Sequence, residues 1–205
     1  MPEPGARLVA VLLAAGAGRR FDPSGRQNKL LAKIDGESVA VLAARHLLAA
    51  GLPVVAVVRP GENSPAIPLA EAGCEVIVCE DADLGMGHSL AYAIASVQRQ
   101  YKPDGVVVAL GDMPFVSPAT ITAVASQLSA TRTIVAAATD GIRGHPVAFW
   151  HTHFGALCAL RGDNGAGQLL KQYPVSLVDP GDSAVIRDID QTEDLPWQAQ
   201  DTKKQ

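Results

Sequence analysis

The chain has 205 residues, 48% of them hydrophobic, and its 17 basic and 21 acidic residues give a formal net charge of −4. This length fits one domain with a substantial core, and the charge balance excludes a broad nucleic-acid or membrane surface. The three cysteines form no C-x-x-C pair, which argues against a disulfide framework or a structural zinc site. No apolar segment approaches the ~20 residues that span a bilayer, so we expect a soluble, cytoplasmic protein.

The first predicted element is a strand from Leu8 to Leu13, a continuous apolar run that suits a strand buried on both faces of a parallel sheet. Gly16 and Gly18 follow among alanines, so backbone N–H groups are accessible to an anion. Three basic residues come next, Arg19, Arg20 and Lys29. They supply the positive charge that a triphosphate needs when it leaves water. We interpret this stretch as a nucleotide-phosphate site.

Three other interpretations of this stretch stay open. The apolar run has about the length of a signal-peptide core, but Glu3 and Arg7 before it balance in charge and the twin arginines come after it. The glycines also suit an ordinary turn between a strand and a helix. Finally, G-x-G-x-x-F is a weak match to a dinucleotide fingerprint, because Phe21 stands where the last glycine belongs.

Predicted strands and helices alternate further along the chain. Four apolar runs predict strands at 53–58, 75–78, 106–110 and 133–138. Helices are expected from the cap Ser38 to Gly51, around 69–72, at 89–98, and from Pro118 to about 128. This alternation predicts right-handed β-α-β units and ligand binding at the carboxyl ends of the strands. The fold class is therefore α/β, a three-layer α/β/α sandwich with a mostly parallel, Rossmann-like sheet.

The pattern is less regular beyond Thr139, where 143–149 reads R-G-H-P-V-A-F and 161–166 reads R-G-D-N-G-A. A glycine-rich insert of this kind favours a lid or an acceptor pocket. His151 and His153 lie two positions apart without a third ligand, so we expect them at the surface. A single domain is expected over 1–195, followed by a polar tail at 196–205.

Two segments near the start resemble a known enzyme family. L-A-A-G-A-G-R-R-F at 13–21, followed by N-K-L-L at 28–31, resembles the signature loop of nucleotidyltransferases with the nucleotide-diphospho-sugar transferase fold. Within that family the segments are most similar to the molybdenum cofactor cytidylyltransferases. The family usually has glycine after the position of Phe21 and a short gap to the lysine, whereas this chain has Asp22 and a longer turn.

A magnesium site is predicted from carboxylates in two segments. Asp112, in L-G-D-M-P, follows a predicted buried strand, and Mg²⁺ needs only one or two carboxylates besides water and substrate phosphate. The alternative is an aspartate that merely opens the turn before Pro114. The resemblance assigns Asp112 to magnesium and a second acidic residue to 186–194. Strand alternation would put Asp188 and Asp190 on one face, with Asp190 preferred unless it caps the following helix.

The resemblance also assigns binding residues. Nucleotide-binding residues would be Leu13, Ala14, Ala15, Gly16, Gly18, Arg20, Lys29, Gly87 and Ser89, and the catalytic groups would be Arg20, Lys29 and Asp112. His145 and Arg143 would lie on the acceptor side. From the residues alone, 83–90 also suits a capped helix start without a ligand, and a histidine before proline suits a structural role.

The reaction that the resemblance implies is attack by a phosphate monoester on the α-phosphorus of a nucleoside triphosphate, with release of pyrophosphate. The monoester is largely dianionic at neutral pH because its second pKa is about 6, so no general base is needed. The sequence contains neither a G-x-S-x-G motif nor a Cys-His arrangement, which agrees with a reaction that uses no protein nucleophile. In the cytidylyltransferase branch, CTP gives CMP to the terminal phosphate of molybdopterin with Mg²⁺ as cofactor. A molybdoenzyme or its chaperone would receive the product.

Other functions stay open. The acceptor chemistry also fits a guanylyltransferase acting on the same pterin, or another transferase that joins a nucleotide to a phosphate ester. An NADP-dependent oxidoreductase with Arg59 on the 2′-phosphate is more distant, since it leaves Asp112 and Lys29 without roles. A non-catalytic carrier would bind nucleotide without turnover.

Overall fold

The computed structural model describes residues 6–18, 20–22 and 27–196. Arg19 and the predicted polar tail from 197 onwards lie outside the described residues. The strands are β1 (Leu8–Ala14), β2 (Lys33–Ile34), β3 (Glu37–Ser38), β4 (Val54–Val58), β5 (Glu75–Val78), β6 (Gly105–Leu110), β7 (Ile134–Thr139), β8 (Ile142–Trp150) and β9 (Ser176–Val178). The α-helices are α1 (Val39–Ala49), α2 (Ala66–Glu71), α3 (Met86–Tyr101), α4 (Pro118–Gln127), α5 (Phe154–Cys158) and α6 (Leu169–Gln172).

Seven strands form one sheet in the order β5-β4-β1-β6-β8-β7-β9, and β2 and β3 form a separate hairpin. All strands of the large sheet except β8 share one direction, and β8 runs antiparallel to both neighbours. Alternate residues of β1 face opposite layers, because side chains of a strand point to opposite faces in turn. Ala10 and Leu12 pack with α1 and α4, whereas Val9 and Val11 pack with α3 and α5. The predicted three-layer α/β/α fold is confirmed.

The pairing of the central strands decides which loops meet. β1 pairs in parallel with β4 and β6, so that Ala14 lies beside Val58 and Leu13 lies beside Leu110. The three strands therefore end at the same edge of the sheet. The glycine loop, Arg59 and Asp112 follow these strand ends and are brought together at that edge.

We expected an irregular insert after Thr139. That expectation is wrong for residues 142–150, which form β8 between β6 and β7. Its second half is apolar and fully buried, so it belongs to the core of the sheet. Gly144 is needed for close packing, since a Cβ atom there would lie 1.9 Å from the carbonyl oxygen of Val185. Gly144, which was part of the glycine-rich insert expected to form a lid or an acceptor pocket, instead allows the later chain to pack against the strand.

Other elements differ from the expectations in smaller ways. α3 begins at Met86 and ends at Tyr101, so it is longer at both ends than the predicted helix. Ser38 precedes α1, but its side chain makes no capping hydrogen bond. His153 is buried, with Nε2 2.9 Å from the hydroxyl of Thr133, so its predicted surface position is wrong, whereas His151 is exposed as expected. Among the described residues, no helix is both long and apolar enough to cross a membrane.

Candidate nucleotide and metal site

A cleft of about 490 Å³ opens at the carboxyl edge of β4, β1 and β6. Many of the predicted site residues line it, namely Leu13, Ala15, Gly16, Gly18, Arg20, Lys29, Ser89, Asp112, Asp188 and Asp190. They come from segments far apart in the sequence. The fold thus assembles the predicted phosphate loop and the predicted metal residues in one cleft.

The glycine loop leaves its backbone open to the cleft. A Cβ atom built on Gly16 would meet no atom within 4 Å. Gly18 has φ +62°, a conformation that favours glycine, and its carbonyl accepts hydrogen bonds from the N–H groups of Phe21 and Asp22 at 2.9 and 3.2 Å. The same glycine packs against Lys29, whose Cγ atom would lie 3.6 Å from an added Cβ. The loop is therefore a tight turn held against the lysine stem.

Lys29 is the buried cation of the site. It begins a 3-10 helix, Lys29–Leu31, whose N-terminus is capped by the side chain of Asn28. Its Nζ atom donates to Oδ2 of Asp112 and to Oδ1 of Asp190, both at 2.7 Å, and only 9% of its side chain is exposed. Burial alone would lower the pKa of Lys29, but the two carboxylates outweigh burial and raise this pKa above its ordinary value. Lys29 is thus charged at neutral pH.

Asp112 lies two residues after the end of β6 and is half-buried. Its Oδ1 atom is inaccessible to solvent and has no hydrogen-bond partner in the described part of the chain. Its backbone carbonyl accepts a hydrogen bond from the N–H of Ile189 at 2.8 Å. This bond, together with the complete burial of the Ile189 side chain, holds the late acidic segment beside the end of β6.

The late segment is not the predicted strand. A 3-10 helix, Ser183–Ile186, precedes it and another, Thr192–Asp194, follows it. Asp190 does not cap the second helix, because Gln191 is the capping residue and the Asp190 carboxylate pairs with Arg20 as well as Lys29. Asp188 and Asp190 nonetheless both line the cleft, with the buried Ile189 between them.

Asp112, Asp188 and Asp190 each offer a carboxylate oxygen, and these atoms lie within 4.8 Å of one another. Burial and the neighbouring charges of Asp190 and Asp112 raise the pKa of Asp188. Three carboxylates with one buried, unpartnered oxygen form the all-oxygen donor set that hard divalent cations prefer. The residues present therefore fit a magnesium or manganese ion.

Four of the predicted binding residues do not line the cleft. Ala14 is fully buried beneath the loop, and the N–H of Gly87 donates to the carbonyl of Gly162 at 2.7 Å, so that it is not free for a nucleoside. Arg143 is exposed on β8, and His145 lines a separate small apolar cavity, with its Nδ1 unpartnered. Burial lowers the pKa of His145 despite the nearby Asp112. The acceptor role of Arg143 and His145 stays a prediction.

Three charged cleft residues were not among the site residues predicted for a nucleotidyltransferase, although Arg59 was considered for an NADP site. Arg59 follows β4 and Asp83 follows β5, so both occupy the strand-end positions at which α/β folds bind ligands, and that rule could have found them. Asp163 lies in the R-G-D-N-G-A segment, which packs on the start of α3, where Gly162 donates its N–H to Nδ1 of His88 at 3.1 Å. No local signal indicates that contact.

Comparison with known families agrees with this site. Residues 10–177 match the model of the MobA-like NTP transferase domain. The chain belongs to this family. Membership of the MobA-like family gives the chain a nucleotidyltransferase activity and nucleotide binding. It also agrees with the fold described above.

Individual proteins are similar to this chain along most of its length. The purine catabolism protein PucB of Bacillus subtilis is 30% identical over 201 residues, which cover 91% of this chain and 93% of that protein. Rv0371c of Mycobacterium tuberculosis H37Rv is 28% identical, with a TM-score of 0.77 and coverage of 93% and 95%. A structure of Rv0371c in complex with manganese has a TM-score of 0.72, covers 92% of this chain and 95% of that one, and is also 28% identical. A nucleotidyl transferase from Methanothermobacter, 22% identical with a TM-score of 0.76 and coverage of 97% and 98%, shares the fold.

Proposed function

We propose that this protein moves CMP from CTP to the terminal phosphate of molybdopterin and releases pyrophosphate, forming the molybdopterin cytosine dinucleotide cofactor. One observation carries the metal-dependent transfer, namely the pairing of Lys29 with two of three clustered carboxylates beside an open glycine loop. The choice of CTP and of a phosphorylated pterin is supported by the resemblance of 13–21 and 28–31 to the cytidylyltransferase branch.

The charge of the cleft supports a requirement for a divalent metal. Among its described lining residues, five carboxylates face three cations, an excess of two negative charges. A nucleoside triphosphate is itself strongly anionic, so this cleft would repel it without a counter-ion. Asp112, Asp188 and Asp190 would hold Mg²⁺, which when bound neutralises phosphate charge and orients the triphosphate. The manganese complex of Rv0371c supports a divalent ion in this family.

The residues of this chain then have separate tasks. The N–H groups around Gly16 bind non-bridging phosphate oxygens, since a Cβ atom on Gly16 would meet only open space. Lys29 and Arg20 stabilise the charge that develops on the leaving pyrophosphate, because Lys29 is buried and Arg20 reaches the same carboxylate, Asp190. Asp190 holds both cations in position.

The chemical step needs no covalent intermediate with the protein. An oxygen of the acceptor phosphate forms a bond to the α-phosphorus of CTP, and the bond from that phosphorus to the pyrophosphate oxygen breaks. The acceptor monoester is already largely deprotonated, since its second pKa is about 6. Rate enhancement then comes from alignment of two anions and from compensation of their charge.

Thermal unfolding with CTP, GTP, ATP and NADPH, each with and without Mg²⁺, tests this proposal. A ligand at a hundred times its dissociation constant adds about 2.7 kcal/mol to the stability, which shifts the midpoint by several degrees at this size. We expect a shift with CTP that requires Mg²⁺. A preference for GTP would indicate the guanylyltransferase, and a metal-independent shift with NADPH alone would overturn the proposal.

A second measurement, of pyrophosphate release, distinguishes the proposed enzyme from a carrier that binds nucleotide without turnover. We expect pyrophosphate release when CTP, Mg²⁺ and molybdopterin are present together. Nucleotide binding without pyrophosphate release would favour the carrier. Delivery of the product to a molybdoenzyme or its chaperone belongs to the same proposal and is tested by co-purification of that partner with the loaded protein.

A further inference from the structure

A single side chain, that of Asn28, holds the turn that carries Lys29. Its Oδ1 atom accepts the N–H of Leu30 at 3.0 Å and so caps the 3-10 helix that begins at Lys29. Its Nδ2 atom donates to the backbone carbonyl of Asn63 at 2.6 Å, in the loop that follows β4. The Asn28 amide therefore joins the loops that follow two neighbouring strands, β1 and β4.

The ammonium group of Lys29 depends on this backbone for its position. A lysine side chain is a flexible four-carbon stem, so the backbone must be fixed if Nζ is to stay between two carboxylates. The glycine loop supports Lys29, since a Cβ atom added to Gly18 would lie 3.6 Å from both the Cγ atom and the backbone nitrogen of the lysine. The bond from Asn28 to Asn63 supplies a second anchor, on the loop after β4.

The length of the segment before Lys29 makes a second anchor important. The turn between Phe21 and Lys29 is longer here than in the family that the glycine loop resembles. A longer loop costs more conformational entropy to order. Asp22 accepts the N–H of Gln27 at 2.8 Å through Oδ2 and so joins the two ends of this turn. Asn28 then ties the end that leads into the lysine to the loop after β4.

We propose that Asn28 is a positioning residue for Lys29, whose ammonium it keeps within reach of the metal carboxylates and the nucleotide phosphates. Asn28 itself does not line the cleft, so it acts through the lysine and not by contact with a ligand. Its effect on nucleotidyl transfer rests on the proposed function. Its effect on the competition between Lys29 and a divalent ion for Asp112 and Asp190 can be measured without nucleotide.

Mn²⁺ titration without nucleotide, arranged as a double-mutant cycle, tests the positioning role. We expect Asn28→Ala to bind Mn²⁺ at least about threefold more tightly than the native protein, because a loosened ammonium competes less for the carboxylates. In a Lys29→Gln background the same change should alter Mn²⁺ affinity by less than about 1.5-fold, since no ammonium remains to be positioned. Equal effects of Asn28→Ala in both backgrounds, or an unchanged Mn²⁺ affinity in the native background, would overturn the inference.

Two further variants separate the bonds of Asn28 from a general loss of stability. Asn28→Ser keeps an oxygen that can cap the helix but loses the donor to Asn63, so its Mn²⁺ affinity should lie between those of the native protein and Asn28→Ala. Ser117→Ala removes a similar cap from α4 and should leave Mn²⁺ affinity unchanged. An effect of Ser117→Ala as large as that of Asn28→Ala would overturn the specific role of Asn28. Thermal unfolding checks that each variant is folded.

Pyrophosphate release from CTP with Mg²⁺ and molybdopterin measures the consequence for transfer. We expect Asn28→Ala to lower the rate by roughly tenfold and Asn28→Ser to recover part of it, because the ammonium is displaced but not removed. If the native protein releases no pyrophosphate, the proposed function fails while the Mn²⁺ cycle still decides the role of Asn28. If Asn28→Ala transfers at the native rate, the positioning role fails while the proposed function stands.

Discussion

The Nζ atom of Lys29 lies 2.7 Å from Oδ2 of Asp112, a residue 83 positions further along the chain. The same nitrogen donates at 2.7 Å to Asp190, so that one buried ammonium group holds the ends of two distant segments together. Lys29 therefore compensates part of the negative charge of the carboxylate cluster. A divalent ion and Lys29 would compete for the same carboxylate oxygens.

Removal of this ammonium should strengthen metal binding and weaken transfer. We expect Lys29→Gln to bind Mn²⁺ without nucleotide at least severalfold more tightly, because an internal cation no longer repels the ion and occupies its ligands. Nucleotidyl transfer should fall by roughly 100-fold, since the leaving pyrophosphate loses a buried cation. Isothermal titration with Mn²⁺ and a pyrophosphate-release assay measure the two effects. Lys33→Gln, an exposed lysine on β2, should change neither, and unaltered Mn²⁺ affinity in Lys29→Gln would contradict the competition.

The open backbone at Gly16 can be blocked without disturbing the fold. A methyl group in Gly16→Ala meets no atom within 4 Å, and Gly16 has no positive φ, so stability should stay within about 0.5 kcal/mol. The methyl would occupy the approach of a phosphate, and CTP affinity should fall at least about tenfold. Thermal unfolding and CTP titration with Mg²⁺ check both. The control is Gly155→Ala on α5, where an added methyl group also meets no atom within 4 Å but lies at the exposed surface. An unchanged CTP affinity in Gly16→Ala would argue against phosphate binding by the glycine loop.

Asp188 should be unfavourable for stability when no metal is bound. Its pKa is raised in the folded protein, so folding favours the protonated acid, and the cost of ionisation is present at pH values above the folded pKa. Asp188→Asn should therefore raise the midpoint of unfolding at neutral pH by about 1–3 °C without Mg²⁺, a small effect because the side chain is solvent-exposed. Added Mg²⁺ should stabilise the native protein more than the variant. Equal stabilisation of both by Mg²⁺ would remove Asp188 from the metal site.

Asp182 stabilises the chain that leads into the acidic segment. Its Oδ2 accepts from the N–H of Ser117 at 3.0 Å and from the hydroxyl of Thr120 at 2.5 Å, and its Oδ1 accepts from the N–H of Ala184 at 3.0 Å. An asparagine has one acceptor oxygen in place of two, so at least one donor would lose its partner. Asp182→Asn should lower the free energy of unfolding by about 1–3 kcal/mol at neutral pH.

The Asp182 carboxylate also makes the free energy of unfolding depend on pH, in a direction that its lowered pKa fixes. Burial alone would raise the pKa of Asp182, but the accepted hydrogen bonds outweigh burial and lower it in the folded protein. Its contribution is thus complete above the unfolded pKa of about 3.8 and is lost as the pH falls through the folded pKa. Urea unfolding should show the difference between native protein and Asp182→Asn shrinking in acid. Asp179→Asn, an exposed carboxylate that also accepts two backbone N–H groups, should cost much less, and a difference that grows in acid would contradict the assignment.

The sequence allowed the sheet and the open glycine turn after β1 to be predicted because both depend on local patterns. The apolar run from Leu8 and the glycines after it predict a buried strand and an open turn from neighbouring residues alone. Parallel pairing then fixes the edge at which Asp112 and the loop meet. Local pattern together with the rule that parallel strands end at one edge was sufficient for this part of the site.

Other features depend on contacts that no local pattern encodes. Gly144 suggested a glycine-rich lid or acceptor pocket, but its lack of a side chain allows the carbonyl of Val185 to approach β8. The carboxylates of Asp188 and Asp190 are near Asp112 because of the backbone hydrogen bond from Ile189, the burial of its side chain and the bridging Lys29, and not because of strand pairing. Likewise, the contact of Asp83 with Arg59 needs the neighbouring positions of β4 and β5 in the sheet.

Transfer of label from CTP labelled at the α-phosphorus to molybdopterin is the measurement that tests metal-dependent cytidylyl transfer most directly. We expect label in a pterin–cytosine dinucleotide, an equal amount of released pyrophosphate, and a strict requirement for Mg²⁺. Asp112→Asn should lower the rate at least about 100-fold, while Glu71→Gln, an exposed acid on α2, should not change it. No labelled dinucleotide with the native protein, or undiminished transfer in Asp112→Asn, would contradict the proposed function.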